Sequence, residues 1–132
     1  MSTEENKGIV AAYLGHFGRS DIQAVLADMT DDATWWVVGR PELFRGAGTR
    51  TKAEMADAWR DLYAVLNGGL AMNVVTMTAE GDRVSAEVRS DAHTKGGKDF
   101  QNDYHMLFTV RDGKIAAVRE YTDLIYAMSV LG

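Results

Sequence analysis

Cysteine is absent from the 132 residues, so disulfide bonds and thiolate nucleophiles are excluded. No stretch approaches the roughly 20 consecutive apolar residues that a membrane-spanning helix needs. The first eight residues, MSTEENKG, lack the basic and apolar regions of a secretory signal peptide. We therefore expect a cytoplasmic protein that does not bind a membrane. The length suits one domain, residues 1–132, with a core of its own.

Basic residues are too few and too scattered for a nucleic-acid-binding surface. The chain has 14 Lys and Arg against 19 Asp and Glu, a formal net charge of −5, whereas phosphate contacts need clustered Lys and Arg. Its three histidines, His16, His93 and His105, do not have the spacing of metal ligands. Dinucleotide-binding and phosphate-loop fingerprints are also missing. We therefore expect neither a metal nor another cofactor.

The first half of the sequence carries three helix-start signals. Ser2, Ser20 and Thr51 each precede a Glu or Gln by three residues, which is the spacing of a capping box. Apolar residues follow each box at helical spacing, so three helices are predicted. The second of them is predicted to end at residues 30–32, which are Thr-Asp-Asp.

Strand signals begin after the second helix and dominate the second half. Residues 33–38 (ATWWVV) predict a strand, and residues 39–50, which hold the only proline, predict a loop. Beyond the third helix, alternating apolar residues predict four more strands, at residues 70–79, 83–93, 104–110 and 115–121. Asp112-Gly113, between the last two, is the strongest short hairpin signal.

Helices first and strands later predict an α+β fold. Three N-terminal helices would pack on one face of a mainly antiparallel sheet. Successive hairpins curl such a sheet, and helices on its concave face make a cone. A pocket inside that cone is the default position for a ligand site.

Two ionisable residues lie on the otherwise apolar C-terminal hairpin. Glu120 in an apolar pocket would have a raised pKa and act as a general acid or base; the alternative is an internal ion pair with Arg89. His105 would donate a hydrogen bond to developing charge or relay a proton; the alternative is a satisfied core histidine. Strict alternation along residues 83–93 places Arg89 and Asp91 on the solvent face.

The segment Val110–Asp123 (VRDGKIAAVREYTD), with the Asn-x-Tyr of Asn102–Tyr104 before it, resembles the SnoaL-like branch of the NTF2-like superfamily. That group includes ketosteroid isomerases, polyketide cyclases and limonene epoxide hydrolases. The resemblance implies an NTF2-like cone (an α+β barrel), a hydrophobic small-molecule ligand and a homodimer.

The ketosteroid isomerases and polyketide cyclases suggest roles for particular residues. Resemblance to the isomerases implies that Tyr13 and His105 donate hydrogen bonds to an oxyanion. The general base of those enzymes, an aspartate on the first strand, corresponds to Val37, which argues against the same isomerisation by the same groups. The polyketide cyclases use an acidic residue on the last strands near a histidine, and Glu120 with His105 matches those parts.

The limonene epoxide hydrolases suggest a different set. Arg89 and Asp91 resemble the Arg-x-Asp of those enzymes, and Glu120 stands where they have a second aspartate. In that mechanism two carboxylates bridged by arginine activate water and protonate the epoxide. The tyrosine and asparagine that help hold the water in that family correspond to Trp36 and Val38.

Two functions are therefore open. The first is a cofactor-independent isomerase, cyclase or epoxide hydrolase in which Glu120 and Asp91 are the acid–base carboxylates. Arg89 would orient them, while His105 and Tyr13 would donate hydrogen bonds. The residues expected to wall the substrate pocket are Phe17, Trp36, Trp59, Leu107 and Val118. The second is a non-catalytic module that binds a small ligand or a partner, favoured by the missing first-strand aspartate and the missing water-holding side chains.

Overall fold

The computed structural model describes all 132 residues and contains four helices and seven strands. The helices are α1 (Thr3–Gly18), α2 (Ile22–Ala27), α3 (Lys52–Val65) and α4 (Leu124–Leu131). The strands are β1 (Met29–Val37), β2 (Gly48–Thr51), β3 (Ala71–Glu80), β4 (Arg83–His93), β5 (Asp99–Phe100), β6 (Asp103–Arg111) and β7 (Lys114–Thr122). None of the helices combines the length and the apolar character that crossing a membrane requires.

The strands form one curved sheet that does not close on itself. Six of them run in the order β2-β1-β7-β6-β4-β3, and β5 pairs with β4. Every neighbouring pair is antiparallel except β1 and β7, which are parallel. The predicted mixed α+β fold with a curved, mainly antiparallel sheet is therefore confirmed.

The β6–β7 hairpin turns at Asp112-Gly113, as predicted. Both residues have positive φ, 53° and 76°, which a two-residue type I′ turn requires. The register pairs Met106 with Glu120 and His105 with Tyr121. Because directly paired residues share a face and neighbours alternate, Glu120 and His105 point to opposite faces of the sheet.

Capping boxes start the two longer N-terminal helices. The Ser2 hydroxyl accepts a bond from the backbone N–H of Glu5, whose carboxylate accepts one from the Ser2 N–H. Thr51 and Glu54 make the same pair of bonds at the start of α3. Helix α2 was predicted to be capped by Ser20 but begins one residue later, because the Asp21 carboxylate caps it by accepting a bond from the Ala24 N–H.

The hydrophobic core lies between the helices and the face of the sheet that they cover, which we call the inner face. On β6, Met106 and Phe108 point inward and are inaccessible to solvent. Tyr13 of α1 meets Phe108 edge to face, with ring centroids 6.4 Å apart. Aromatic contacts of this kind pack α1 against the inner face and exclude solvent there.

Three features differ from the predicted elements. Helix α4 is a fourth, C-terminal helix where only three N-terminal ones were predicted, and the Asp123 carboxylate caps it by accepting a bond from the Tyr126 N–H at 3.0 Å. Strand β2, residues 48–51, lies at the end of the predicted loop because it pairs with β1. Strand β1 begins at Met29, because residues 30–32 continue the strand instead of ending α2.

Candidate active site

A chamber of about 850 Å³ opens between the inner face of the sheet, α3 and α4. Aromatic rings from three elements wall it: Phe17 of α1, Trp35 of β1 and Trp59 of α3. The three rings meet edge to face, with centroids 5.2 to 6.3 Å apart, an arrangement that aromatic quadrupoles favour. This volume and lining suit a small, largely apolar ligand.

Glu120 is the one acidic side chain of the sheet that faces the chamber. Trp35 donates a hydrogen bond from Nε1 to the Glu120 carboxyl Oε1 at 2.9 Å, and no basic side chain pairs with that carboxyl. Burial raises the pKa of Glu120 to about 7, and the Trp35 bond opposes this rise only in part. A carboxyl with such a pKa both donates and accepts protons near neutrality.

A chain of hydrogen bonds holds the polar wall beside Glu120. The Tyr104 hydroxyl donates to Ser90 Oγ at 3.2 Å, and the backbone N–H of Asn102 donates to the same oxygen at 2.9 Å. Asn102 Nδ2 donates to the Asp123 carbonyl at 3.2 Å, which ties this wall to the start of α4. Burial first, and then the charge of Glu120, raises the pKa of Tyr104, which therefore stays a neutral phenol.

The mouth of the chamber is flanked by α4 and by residues 41–47. Leu43 is 74% exposed and Met128 is 47% exposed, although both line the chamber. Arg45 and Arg50 are the only basic residues of the lining. The opening therefore combines an apolar rim with positive charge.

The sequence profile of the SnoaL-like domain family matches residues 10–118, most of the chain. The chain belongs to the SnoaL-like domain family. No curated protein sequence matches it. Among solved structures, an NTF2-like protein from Burkholderia xenovorans LB400 is 27% identical with a TM-score of 0.76, and the match covers 100% of this chain and 99% of that one.

Two further solved structures share the fold of this SnoaL-like domain. TerC, co-crystallised with polyporic acid, is 23% identical with a TM-score of 0.80, and the match covers 96% of this chain and 97% of that one. A putative isomerase from Bacillus subtilis is 19% identical with a TM-score of 0.81, and the match covers 100% and 96%. The predicted membership of the SnoaL-like branch of the NTF2-like superfamily is thereby confirmed.

The SnoaL-like domain brings only part of the predicted site together. Glu120, Phe17 and Trp59 all line the chamber. Val118 and Tyr13 lie behind the chamber wall, in the core, where they are 1% and 0% exposed.

Tyr13 is not placed as an oxyanion donor in the chamber. Its hydroxyl is buried and bonds to no protein group. Burial, with a smaller contribution from the charge of Asp28, holds its pKa well above the usual range.

His105 and Leu107 lie on the face of the sheet opposite Glu120, which we call the outer face. His105 is exposed there, and its Nε2 lies 2.5 Å from Ser85 Oγ. The prediction that this imidazole shares a pocket with Glu120 is wrong, because the two residues are one position out of phase across the hairpin. Leu107 follows His105 outward and does not wall the chamber.

Arg89 and Asp91 also lie on the outer face and are exposed, as the alternation along β4 indicated. The expectation that they complete an arginine-bridged pair of carboxylates with Glu120 is wrong, because β4 has no bulge there to turn them inward. The alternative ion pair between Glu120 and Arg89 is absent for the same reason. Asp91 accepts a hydrogen bond from Gln101 Nε2 at 3.3 Å instead.

Trp36 was expected to wall the pocket, but Trp35 does so instead. Trp36 lies on the outer face, where the Arg119 guanidinium stacks 3.9 Å from its ring centroid, while Trp35 faces inward. The sequence held a weak signal for this: Trp35 is in phase with the apolar Ala33 and Val37, both buried, whereas one of the two residues in phase with Trp36 is a threonine and the other is Val38.

Sequence reasoning also missed Asn102 and Tyr104 as lining residues and the two arginines at the mouth. The Asn-x-Tyr pattern carried part of that signal, since Tyr104 shares its face with Met106 and Phe108. No three His, Asp or Glu side chains lie close enough together to hold a metal ion. The polar groups of the lining with acid–base or hydrogen-bonding chemistry include the carboxyls of Glu120 and Asp61, the Tyr104 phenol, the Asn102 amide and the two mouth arginines, set among apolar walls.

Proposed function

We propose that this SnoaL-like domain is a cofactor-independent enzyme that binds a hydrophobic small molecule in the chamber and moves a proton with Glu120. The observation that carries the proposal is the Glu120 carboxyl, set among aromatic rings, bonded to Trp35 Nε1 and lacking a basic partner. Buried carboxyls with pKa values near neutrality are typical of acid–base catalysts.

The same carboxyl serves two steps of one reaction. Ionised Glu120 removes a proton from a carbon next to a carbonyl group, and the resulting acid returns the proton to another carbon or to an oxygen. Tyr104 is the only tyrosine of the chamber lining, and its hydroxyl, which donates to Ser90 Oγ at 3.2 Å, would orient a substrate oxygen by turning its O–H from Ser90 to the substrate. This scheme fits an isomerase or a cyclase.

Epoxide hydrolysis of the limonene type is less well supported. It needs two carboxylates bridged by an arginine, and Asp91 and Arg89 lie on the outer face. The two lining carboxyls, Glu120 and Asp61, are not bridged by an arginine, which supports proton transfer by Glu120 alone rather than the paired mechanism.

The test compares two charge-removing variants. Glu120→Gln should lower kcat/KM on the substrate found by screening β,γ-unsaturated ketones, aldol-type cyclisation substrates and epoxides, by at least about 100-fold. Glu87→Gln, which removes an exposed carboxylate on the outer face, should keep wild-type turnover. In the wild type, kcat/KM should change with an apparent pKa near 7. Equal turnover by Glu120→Gln and wild type would refute the proposal.

A second candidate function is a non-catalytic module that binds a small ligand. It is favoured by Val37, which lies beside Glu120 on the neighbouring strand where a carboxylate base would otherwise stand, and by the outward position of His105. Wild-type binding of apolar ligands, without turnover of any of the three substrate classes, would select this alternative.

A further inference from the structure

We propose that the chamber's ligand is an amphipathic acid, whose anionic group binds Arg45 and Arg50 at the mouth while its apolar body reaches inward to Glu120. The inference rests on the proposed function and names the substrate class of the same site. Three observations carry it: the bonds that Arg50 makes to the loop, the absence of any protein partner for Arg45, and the number of strands between Arg50 and Glu120.

Arg50 holds residues 41–47, which we call the mouth loop, by hydrogen bonds made on the chamber side of the sheet. It pairs with Trp35 in the β1–β2 register, so its side chain starts from the inner face. Its guanidinium donates to the carbonyl oxygens of Gly46 at 2.6 Å and Arg45 at 2.7 Å. A guanidinium has five N–H donors, so three are left for a ligand.

Packing around Gly46 holds the same loop. A Cβ added at Gly46 would come within 2.6 Å of the Phe44 ring, so that ring lies directly against the glycine. The backbone that carries Arg45 is therefore set by two independent contacts before any ligand arrives. Preorganisation of this kind lowers the entropic cost of binding.

The Arg45 guanidinium is the unused cation of the mouth. It makes no hydrogen bond and no ion pair with any protein group. Asp61 of α3 also lines the chamber but pairs with neither arginine. Hydrogen bonds from Thr51, and then the charge of Arg50, lower the pKa of Glu54. Arg45 is therefore the mouth arginine without a counter-charge. In a chain of net charge −5, such an arginine beside an apolar opening favours an anionic group, and planar carboxylates match the guanidinium fork.

The distance across the sheet sets the size of the ligand. Arg50 lies on β2 and Glu120 on β7, with β1 between them. Two strand spacings amount to about 10 Å. A ligand that reaches both ends therefore needs roughly the length of two fused rings between its acid group and its reacting atoms.

The experiment compares a charged probe with its uncharged analogue. The probes are 2-naphthylacetate and 2-naphthylacetamide, and calorimetry gives the Kd of each for wild type, Arg45→Gln and Arg40→Gln. Arg40 is exposed and lies outside the chamber lining. Arg40→Gln is therefore the control for Arg45→Gln, since it removes the same charge without changing the chamber. Wild type should bind the acid about tenfold more tightly than the amide, as one charge-assisted hydrogen bond would give.

Arg45→Gln should reduce this preference, since only Arg50 then remains to bind the carboxylate, and should leave the Kd of the amide unchanged, whereas Arg40→Gln should retain the full preference. High salt should weaken binding of the acid only, since screening acts on the charged pair. Equal Kd values for acid and amide in wild type, or equal effects of the two variants, would overturn the anionic subsite and leave Glu120 chemistry standing. Binding of neither probe would overturn both this inference and the apolar ligand of the proposed function.

Discussion

Because of Glu120, the folded chain should lose stability as the pH rises. A salt-bridged carboxylate has the opposite effect, since its pKa is lowered on folding. Burial raises its pKa to about 7 from the ordinary 4.5, so the folded state holds this proton more tightly than the unfolded chain. Its contribution to stability is complete below about pH 4.5 and is lost as pH rises through about 7, to a limit of about 3 kcal/mol.

Urea unfolding of wild type and Glu120→Gln at pH 5 and pH 8 measures this contribution. The glutamine variant should gain stability relative to wild type on going to pH 8, because an amide has no proton to lose. Glu87→Gln should show no such pH-dependent gain. A difference between Glu120→Gln and wild type that is the same at both pH values would contradict the raised pKa.

Comparing Tyr13 with Tyr63 measures how much an unbonded buried hydroxyl lowers the free energy of unfolding. The Tyr13 hydroxyl bonds to no protein group, whereas the Tyr63 hydroxyl donates to the Phe17 carbonyl at 2.6 Å. Tyr13→Phe should therefore raise the free energy of unfolding by about 1 kcal/mol, and Tyr63→Phe should lower it by a similar amount. Loss of turnover in a stable Tyr13→Phe protein would restore the oxyanion role that the family resemblance implied.

At the scale of elements, α4 connects local helix stability to ligand binding. Asp123 caps it, and Met128, Ala127 and Leu131 on the helix line the chamber. Asp123→Ala should destabilise the helix by about 1 kcal/mol and raise the Kd of 2-naphthylacetamide measurably, up to about fivefold.

Asp21→Ala is the control for that variant, since it removes the same kind of cap from α2, which contributes nothing to the chamber lining. It should leave the Kd unchanged. Hydrogen exchange should show faster exchange of the α4 amides in Asp123→Ala only. An unchanged Kd in Asp123→Ala would show that α4 does not hold the ligand.

Elements that are fixed by local backbone conformation or by local hydrogen bonds could be predicted from the sequence. Asp112-Gly113 specifies its turn by φ alone, and Ser2 and Thr51 specify helix starts by local bonds. Strand β2 has only four residues and is a strand because β1 pairs with it. Helix α4 was missed because it has only eight, mostly apolar residues, and because its cap Asp123 is followed three residues later by a tyrosine, so no capping box marks its start.

The site was harder to predict than the fold, because it depends on which face of each strand is inward. Alternation correctly separated His105 from the Tyr104 face and Trp35 from Trp36. Which face meets the helices is set by the parallel pairing of β1 with β7, which places Trp35 beside Val118. That contact joins distant parts of the chain, so the only local signal for it is the small difference in the neighbours that are in phase with Trp35 and with Trp36.

At the scale of the whole molecule, the homodimer implied by the family resemblance stays a prediction. The outer face of the sheet is the surface we expect to meet its copy, since Trp36 and Tyr121 lie there with ring centroids 5.2 Å apart and Tyr121 is 42% exposed. Light scattering after gel filtration should give a dimer for wild type and a monomer for Tyr121→Glu. Ile125→Glu, at an exposed position on α4, should stay a dimer. A monomeric wild type at micromolar concentration would contradict the prediction.

The hydrogen bond from Trp35 to Glu120 spans 85 positions of the chain and joins the first strand to the last. During synthesis, β1 can pair with β2 early, but its other edge stays unpaired until its parallel partner β7 leaves the ribosome. Such long-range closure slows folding. The Glu120 carboxyl thus enters its chamber only once β7 has been made, and a product truncated before β7 would leave one edge of β1 open to chaperones and proteases.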